Sequence, residues 1–478
     1  MSNIRINGDR LWDSLMEMAK IGATDKGGVC RLALTDLDRQ GRDLFVQWAK
    51  DAGCTITVDK MGNIFARREG RNPSLPPVMT GSHLDSQPTG GRFDGVYGVL
   101  AGLEVLRTLN DLNYETEAPV EVAVWTNEEG SRFAPAMVAS GVFAGVFDLD
   151  YGLSRADQDG RTMGQELARI GYAGDQPMGK PVGAYFEAHI EQGPILEAED
   201  KTIGIVTHAQ GQRWFEVTLT GQEAHAGPTP MPIRRDALLG AARMVQAVNR
   251  IGLDNAPVAC ATVGLMQVYP NSRNVIPGRV FFTVDLRHPD DAVLAKMADE
   301  FHAALNEILA EGKLTAEVEQ IFYYAPVPFD EDCVGAVRAA TAAAGFSNRD
   351  IVSGAGHDAC YLAKVAPTGM IFIPCIDGIS HNEVEDAKPE WVSAGCEVLL
   401  GAMLERANAG APRWVPARRP TPPDRTTGHG GASPPPWRTD RRTREGAGLY
   451  GPDQPFVERA AADNKRPTKD ELHHGRDG

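Results

Sequence analysis

The sequence lacks any uninterrupted apolar run long enough to cross a bilayer. Its N-terminus, MSNIRINGDRLWDSL, carries charges where a secretory leader needs an apolar core. Cysteine is sparse: seven residues, an odd number, stand singly at Cys30, Cys54, Cys260, Cys333, Cys360, Cys375 and Cys396. No two form a Cys-x-x-Cys pair, which argues against a disulfide framework and a thiolate zinc knuckle and makes a cytoplasmic location the expectation. Positive charge is also short, since 48 Lys and Arg against 64 Asp and Glu leave a formal net charge of −16. Nucleic acid and anionic membrane, which both demand a basic face, are not expected as partners. A small anionic substrate is compatible with that sum, because a ligand feels the nearby charges more than the distant ones.

What is present is ordinary soluble material, 42% hydrophobic and 23% charged over 478 residues, enough for two or three domains. Residues 8–53 read as helices, with Leu44, Phe45, Trp48 and Ala49 forming one stripe. Residues 54–70 read as a hairpin turned at Met61-Gly62-Asn63. Strands at 76–83, 120–129 and 185–192 then alternate with helices at 95–109 and up to residue 172, the pattern of an α/β domain around a buried sheet. The middle differs. Alternating runs at 203–221, VACATVGLMQVYP, RVFFTVDLRH and 315–326, with helices at 231–251 (Pro232 near its start) and 291–312, predict an inserted α+β unit of four strands and two helices. The expected division is 1–207 and 327–409 for the first domain and 208–326 for the insert, closing with a helix at 389–409. After Ala409 the composition turns to Pro, Arg, Gly and Thr without apolar period, so residues 410–478, His473 and His474 included, read as a disordered tail without catalytic role.

Polar residues collect at the ends of the expected strands, where open α/β sheets place their sites. In GSHLDSQPTGGRFDG (81–95), His83 ends a strand and Asp85 is placed to hold its second ring nitrogen. Asp94 follows a Gly-rich turn and opens a helix, a position suited to bridging two metal ions through its two oxygens. In WTNEEG (125–130), Glu128 and Glu129 end a very apolar strand, which is costly unless metal or protons compensate. Adjacent carboxylates suit a division in which one ligates a metal and the other moves a proton. His189 in FEAHIEQGP (186–194) and His381 in GISHNEVED (378–386) complete the set. Each alone also reads as a solvated loop or a core histidine. Four in order, each after an apolar strand, point to one site.

These motifs, with GQEAHAGPTPM, NVIPGRVFFTVDLRHPD and SGAGHDA in sequence order, resemble the zinc-dependent N-carbamoyl-L-amino-acid hydrolase, β-ureidopropionase and allantoate amidohydrolase family, over residues 8–408. The resemblance implies an aminopeptidase-like two-metal catalytic domain with an inserted lid and dimerisation domain. It implies His83, Asp94, Glu129, His189 and His381 as metal ligands, with Asp94 bridging and His83 and Glu129 or His189 and His381 completing the two ions, the ligand of each ion left open. The metals would be two divalent ions, Zn²⁺ by expectation, with Mn²⁺, Co²⁺ or Ni²⁺ equally suited to nitrogen and oxygen donors. Glu128 would be the general base and His225 an oxyanion stabiliser. Arg287 offers the planar fork a substrate carboxylate requires. Gln192, Asn274 and the Gly354–Gly356 backbone, with Gly356 foremost, would fix the rest of an N-carbamoyl substrate. Similar enzymes are homodimers through the insert, with hinge motion expected near residues 208 and 326.

The activity so implied is cleavage of the carbamoyl C–N bond of an N-carbamoyl-L-amino acid or N-carbamoyl-β-alanine, giving amino acid, carbon dioxide and ammonia. Allantoate hydrolysis is an alternative, as is a metallopeptidase or N-acyl deacylase on the same chassis. A metal-free binding protein is the alternative from another class, and the intact set of ligands speaks against it. A thiol enzyme using Cys360 near His357 fails on context, because AGHDACYLAKV is an apolar helix in which a cysteine packs.

Overall fold

The structure, a computed structural model, describes residues 5–409; the expected tail at 410–478 lies outside the described residues. Two sheets organise the chain. The larger has nine strands. At its centre Val120–Trp125, Val78–His83, Ala184–Ile190 and Thr368–Ile373 lie side by side and parallel. All four are buried at every position. Such strands need helices on both faces, which explains their unbroken apolar runs. Val96–Asp111 and Pro389–Asn408 pack on one face, where Leu100, Leu103, Val398 and Met403 join the main core. The antiparallel hairpin Thr55–Val58 and Ile64–Arg68 closes one edge. At the other edge Ile203–Ala209 runs antiparallel to Thr368–Ile373 and parallel to Asn348–Ser353.

The run read as one alternating stretch at 203–221 is therefore two strands in two sheets. Ile203–Ala209 completes the larger sheet, and Gly211–Thr220 enters a second one, with only Gln210 between them. Both strands alternate in sequence, so periodicity alone could not separate them. In the second sheet Arg279–His288 pairs with Gly211–Thr220, which pairs with Thr315–Tyr324. The segment VACATVGLMQVYP breaks into Cys260–Thr262 and Met266–Tyr269, both laid along Arg279–His288, so five strands fill four rows. Ala237–Asp254 and Asp291–Gly312 cover one face, burying Phe215, Val217, Phe282 and Phe301. The first of these helices starts later than expected. Met231–Ile233 forms a separate 3₁₀ turn, and Asp236 caps the helix by accepting from Leu238 N and Leu239 N, both at 3.0 Å.

Candidate metal centre

The four central strands end side by side, and each feeds one loop of the centre. His83 is the last residue of its strand, and its Nδ1 lies 2.8 Å from the carbonyl oxygen of Asp85. His189 lies inside the next strand, with Nδ1 2.9 Å from the carbonyl of Ile190. Each ring donates its Nδ1–H to a backbone carbonyl and turns the Nε2 lone pair inward. Both face Asp94 Oδ1, at 3.6 and 3.2 Å. On the far side, His381 Nε2 lies 3.2 Å from Asp94 Oδ2 and 3.4 Å from Glu129 Oε2. Asp94 thus divides its two oxygens between two donor sets, His83–Asp94–His189 and Asp94–Glu129–His381. Gly95 makes the first set possible: its φ is +68°, and a Cβ there would sit 2.3 Å from the His83 ring.

The donor chemistry fits divalent cations. His189 Nε2 lies 3.2 Å from Asp94 Oδ1 and 3.2 Å from Gly95 N, whose N–H points at it. Burial drives Glu128 well above the ordinary carboxylate range and Glu129 up to about 7. Burial also pushes Asp94 upward, but His189, His381 and His83 outweigh it and hold Asp94 well below the usual value. The bond to Asp94 raises His381 to about 9. Acids pressed to take protons beside bases pressed to do the same is a costly interior unless cations share the site. Among the described residues the two donor groups consist of histidine nitrogens and carboxylate oxygens, a set suited to Zn²⁺ and to several first-row neighbours.

Glu128 stands beside this centre and outside both sets. It is buried, with Oε2 3.4 Å from His83 Nε2. The strand stops at Trp125, and Asn127 at φ +58° turns the two glutamates inward. Asp85 holds that turn: its carboxylate accepts from Glu128 N at 3.3 Å and Glu129 N at 3.2 Å. This corrects the role expected for Asp85. Its carboxylate is 3.9 Å from His83 Nδ1, and its backbone carbonyl, which reaches the ring first, does the orienting. The grouping of the candidate ligands, which the sequence left open, is set by the fold. His83 groups with His189 rather than Glu129, because the sheet sets their strands side by side and Asp94 Oδ1 faces both.

Gln192, expected at the substrate, donates from Nε2 to Asp94 Oδ2 at 3.1 Å, while its Oε1 is buried without a partner. Arg287 reaches out of the second sheet to the carbonyl of Gly354 at 3.0 Å, and its Nε and Nη2 are engaged by Asp285. Gly356 packs two residues along that loop, where a Cβ would meet Met137 at 2.9 Å. The structure does not bring His225 and Asn274 to the centre. Both are exposed, drawn together by the short pairing of Ala224–His225 with Val275–Ile276. Cys360 is buried in a helix and its thiol is pushed up to about 12 by burial, which removes it as a nucleophile. Three supporting residues escaped the sequence reading. Gln87 donates to Glu129 Oε2 at 2.7 Å, and Ser380 and Glu385 flank Asp94. Gln87, Ser380 and Glu385 all lie within the quoted motifs, but nothing in their spacing announces a partner far along the chain.

Residues 79–405 match the model of the peptidase family M20/M25/M40. An N-carbamoyl-L-amino-acid amidohydrolase of Rhizobium meliloti is 54% identical over 406 residues, covering 85% of this chain and 98% of that protein. The crystal structure of an amidase of the hydantoinase/carbamoylase family from Burkholderia multivorans superposes with a TM-score of 0.83 at 72% identity, covering 84% of this chain and 98% of that one. A ureidoglycolate hydrolase of Arabidopsis thaliana is 32% identical, covering 83% of this chain and 86% of the relative.

Proposed function

The chain belongs to the peptidase family M20/M25/M40, and on that premise we propose that it hydrolyses the carbamoyl C–N bond of N-carbamoyl-L-amino acids. The observation that carries the reading is Asp94, whose two oxygens serve two donor sets beside a buried Glu128, in a chain 54% identical to an N-carbamoyl-L-amino-acid amidohydrolase. Two divalent ions, Zn²⁺ first among them, would be held by His83, Asp94 and His189 and by Asp94, Glu129 and His381; when bound they supply a water acidified toward neutrality and a Lewis acid for the ureido carbonyl.

Everything else is done by the chain's own groups. Glu128 takes the proton of the attacking water and hands it to the nitrogen of the departing amino acid. The carbamate left behind falls apart to carbon dioxide and ammonia. Asp85 keeps Glu128 in range through the backbone of the turn. Gln192, anchored to Asp94, offers its free Oε1 to the ureido NH₂. Arg287 keeps N–H groups for a substrate carboxylate, and Gly356 gives that carboxylate a close backbone approach. His225 and Asn274 would reach the oxyanion by movement of the 208–326 segment about hinges near 208 and 326, or from a second copy. Exposed Met231, Ile233, Leu239 and Leu253 on that segment suit a homodimer, and seven free cysteines suit the cytoplasm.

The test is ammonia and amino-acid release after stripping metal and re-adding Zn²⁺, Mn²⁺ or Co²⁺. The panel is N-carbamoyl-L-amino acids, N-carbamoyl-β-alanine, allantoate, ureidoglycolate, N-acetyl amino acids and a dipeptide. Metal-dependent turnover of the N-carbamoyl-L-amino acids is the expected result. Turnover of acyl or peptide substrates alone would overturn the ureido reading, whereas turnover of only allantoate or ureidoglycolate would keep the ureido chemistry and overturn the N-carbamoyl-L-amino-acid assignment.

A further inference from the structure

His381 is the least supported of the three histidines. Its side chain is 51% exposed where those of His83 and His189 are 2% and 1%, and its backbone sits at φ +52°. For a non-glycine residue that conformation persists only where surrounding contacts enforce it. Four residues on, Glu385 is buried against the loop that carries Asp94. Its Oε1 accepts from Phe93 N at 3.0 Å and Asp94 N at 3.1 Å. Its Oε2 accepts from Ser380 Oγ at 2.8 Å, next to His381.

We infer that Glu385 is a positioning residue for the second donor set, a clasp that fixes the His381 loop against the Asp94 loop and sets the affinity of the ion between them. The inference rests on the two-set reading of the centre. Glu385 is not itself a ligand, because both oxygens are taken by N–H and O–H donors. Its reach extends through Ser380. The single hydroxyl proton of Ser380 has two acceptors in reach, Glu385 Oε2 at 2.8 Å and Asp94 Oδ2 at 3.3 Å, and the shorter contact takes it, which leaves the Oγ lone pairs for Gln192 Nε2 at 3.3 Å. Gln192 therefore keeps its amide nitrogen toward Asp94 Oδ2 and its oxygen free. Gly91 shows how closely the clasp is fitted, since a Cβ there would fall 2.0 Å from the Glu385 carboxyl carbon. On the rim of the same seam Arg92 Nη2 bonds Asp386 Oδ1 at 2.7 Å.

The experiment is a chelator-competition titration of metal-free protein with Zn²⁺, resolving the two dissociation constants, with thermal melting of the metal-free protein alongside. Wild type binding two ions is the control for the two-set reading; fewer ions there would sink that reading before Glu385 is tested. Glu385→Ala is expected to weaken one ion by about 10- to 100-fold, as loss of an outer-shell partner does, with the other within about threefold. Glu385→Gln keeps an oxygen for the two N–H groups and an amide for Ser380 Oγ, so most of the affinity returns. Unchanged constants in Glu385→Ala overturn the inference, and so does equal weakening of both ions. Should Glu385→Ala fail to fold, Ser380→Ala decides: a weaker second ion supports the clasp, and wild-type constants overturn it.

Discussion

The two halves of the candidate metal centre share one carboxylate and are built on opposite plans. The half with His83 and His189 is made of strand: both imidazoles are buried, and each is locked by a backbone carbonyl behind it. The half with Glu129 and His381 is made of turn and loop, and its supports are side chains, Gln87 behind Glu129 and the Glu385–Ser380 pair around His381. A ligand on a buried strand takes its geometry from the sheet, whereas a ligand on a loop takes it from whichever neighbours hold the loop. The first half should therefore bind its ion tightly with little dependence on any one neighbour. The second should be tunable, and it is the half whose histidine faces solvent.

Asp94 is where the comparison breaks most completely. Asp94→Ala removes an oxygen from both sets, so less than one ion per chain should remain by elemental analysis, with no measurable turnover. Two tightly held ions in that variant would mean that the sets do not share it. Glu128→Gln should separate chemistry from binding, keeping both ions while turnover falls by a factor of about 10² to 10⁴, the usual share of general acid–base catalysis. Near-wild-type turnover would remove Glu128 as the base. His189→Ala and His381→Ala then sharpen the contrast between halves. Each should lose one ion by more than the ~10–100-fold of an outer-shell change. Excess metal should restore activity to His381→Ala more readily, because its site opens to solvent and water can fill the missing position. Equal recovery of the two variants would erase the distinction.

The sequence exposed the candidate ligands and hid how they group. His83, Asp94, Glu129, His189 and His381 stand in turn-rich motifs after apolar strands, a signal local enough to read along the chain. Which histidine faces which oxygen of Asp94 depends on strand order, and neighbouring strands in the sheet lie up to 178 positions apart, from Ile190 to Thr368. Asp85 shows the same limit at short range. Its spacing from His83 suggested a carboxylate on the ring, but the turn delivers the carbonyl instead and frees the carboxylate for two amides some 43 residues away. The late start of the Ala237–Asp254 helix was legible in principle, since Asp236 is a strong N-cap, but Pro232 offered a competing start.

The smallest expected effect tests whether the loop-built half really leans on side chains. Gln87 bonds Glu129 Oε2 at 2.7 Å and is itself held by Ser131 Oγ at 2.7 Å. The same Glu129 oxygen faces His381, so Gln87 holds the atom that Glu129 brings to the second donor set. Gln87→Ala leaves the Asp85 hold on the Glu129 backbone intact, and only the last torsions of the side chain are freed. The second ion should weaken by less than in Glu385→Ala, toward the lower end of the ~10–100-fold range, while the first ion and the melting temperature stay put. A larger loss than in Glu385→Ala would move the weight of the second half from the His381 loop to the Glu129 turn. No loss at all would mean that the backbone turn alone fixes Glu129, and that this half is less dependent on its neighbours than its exposure suggests.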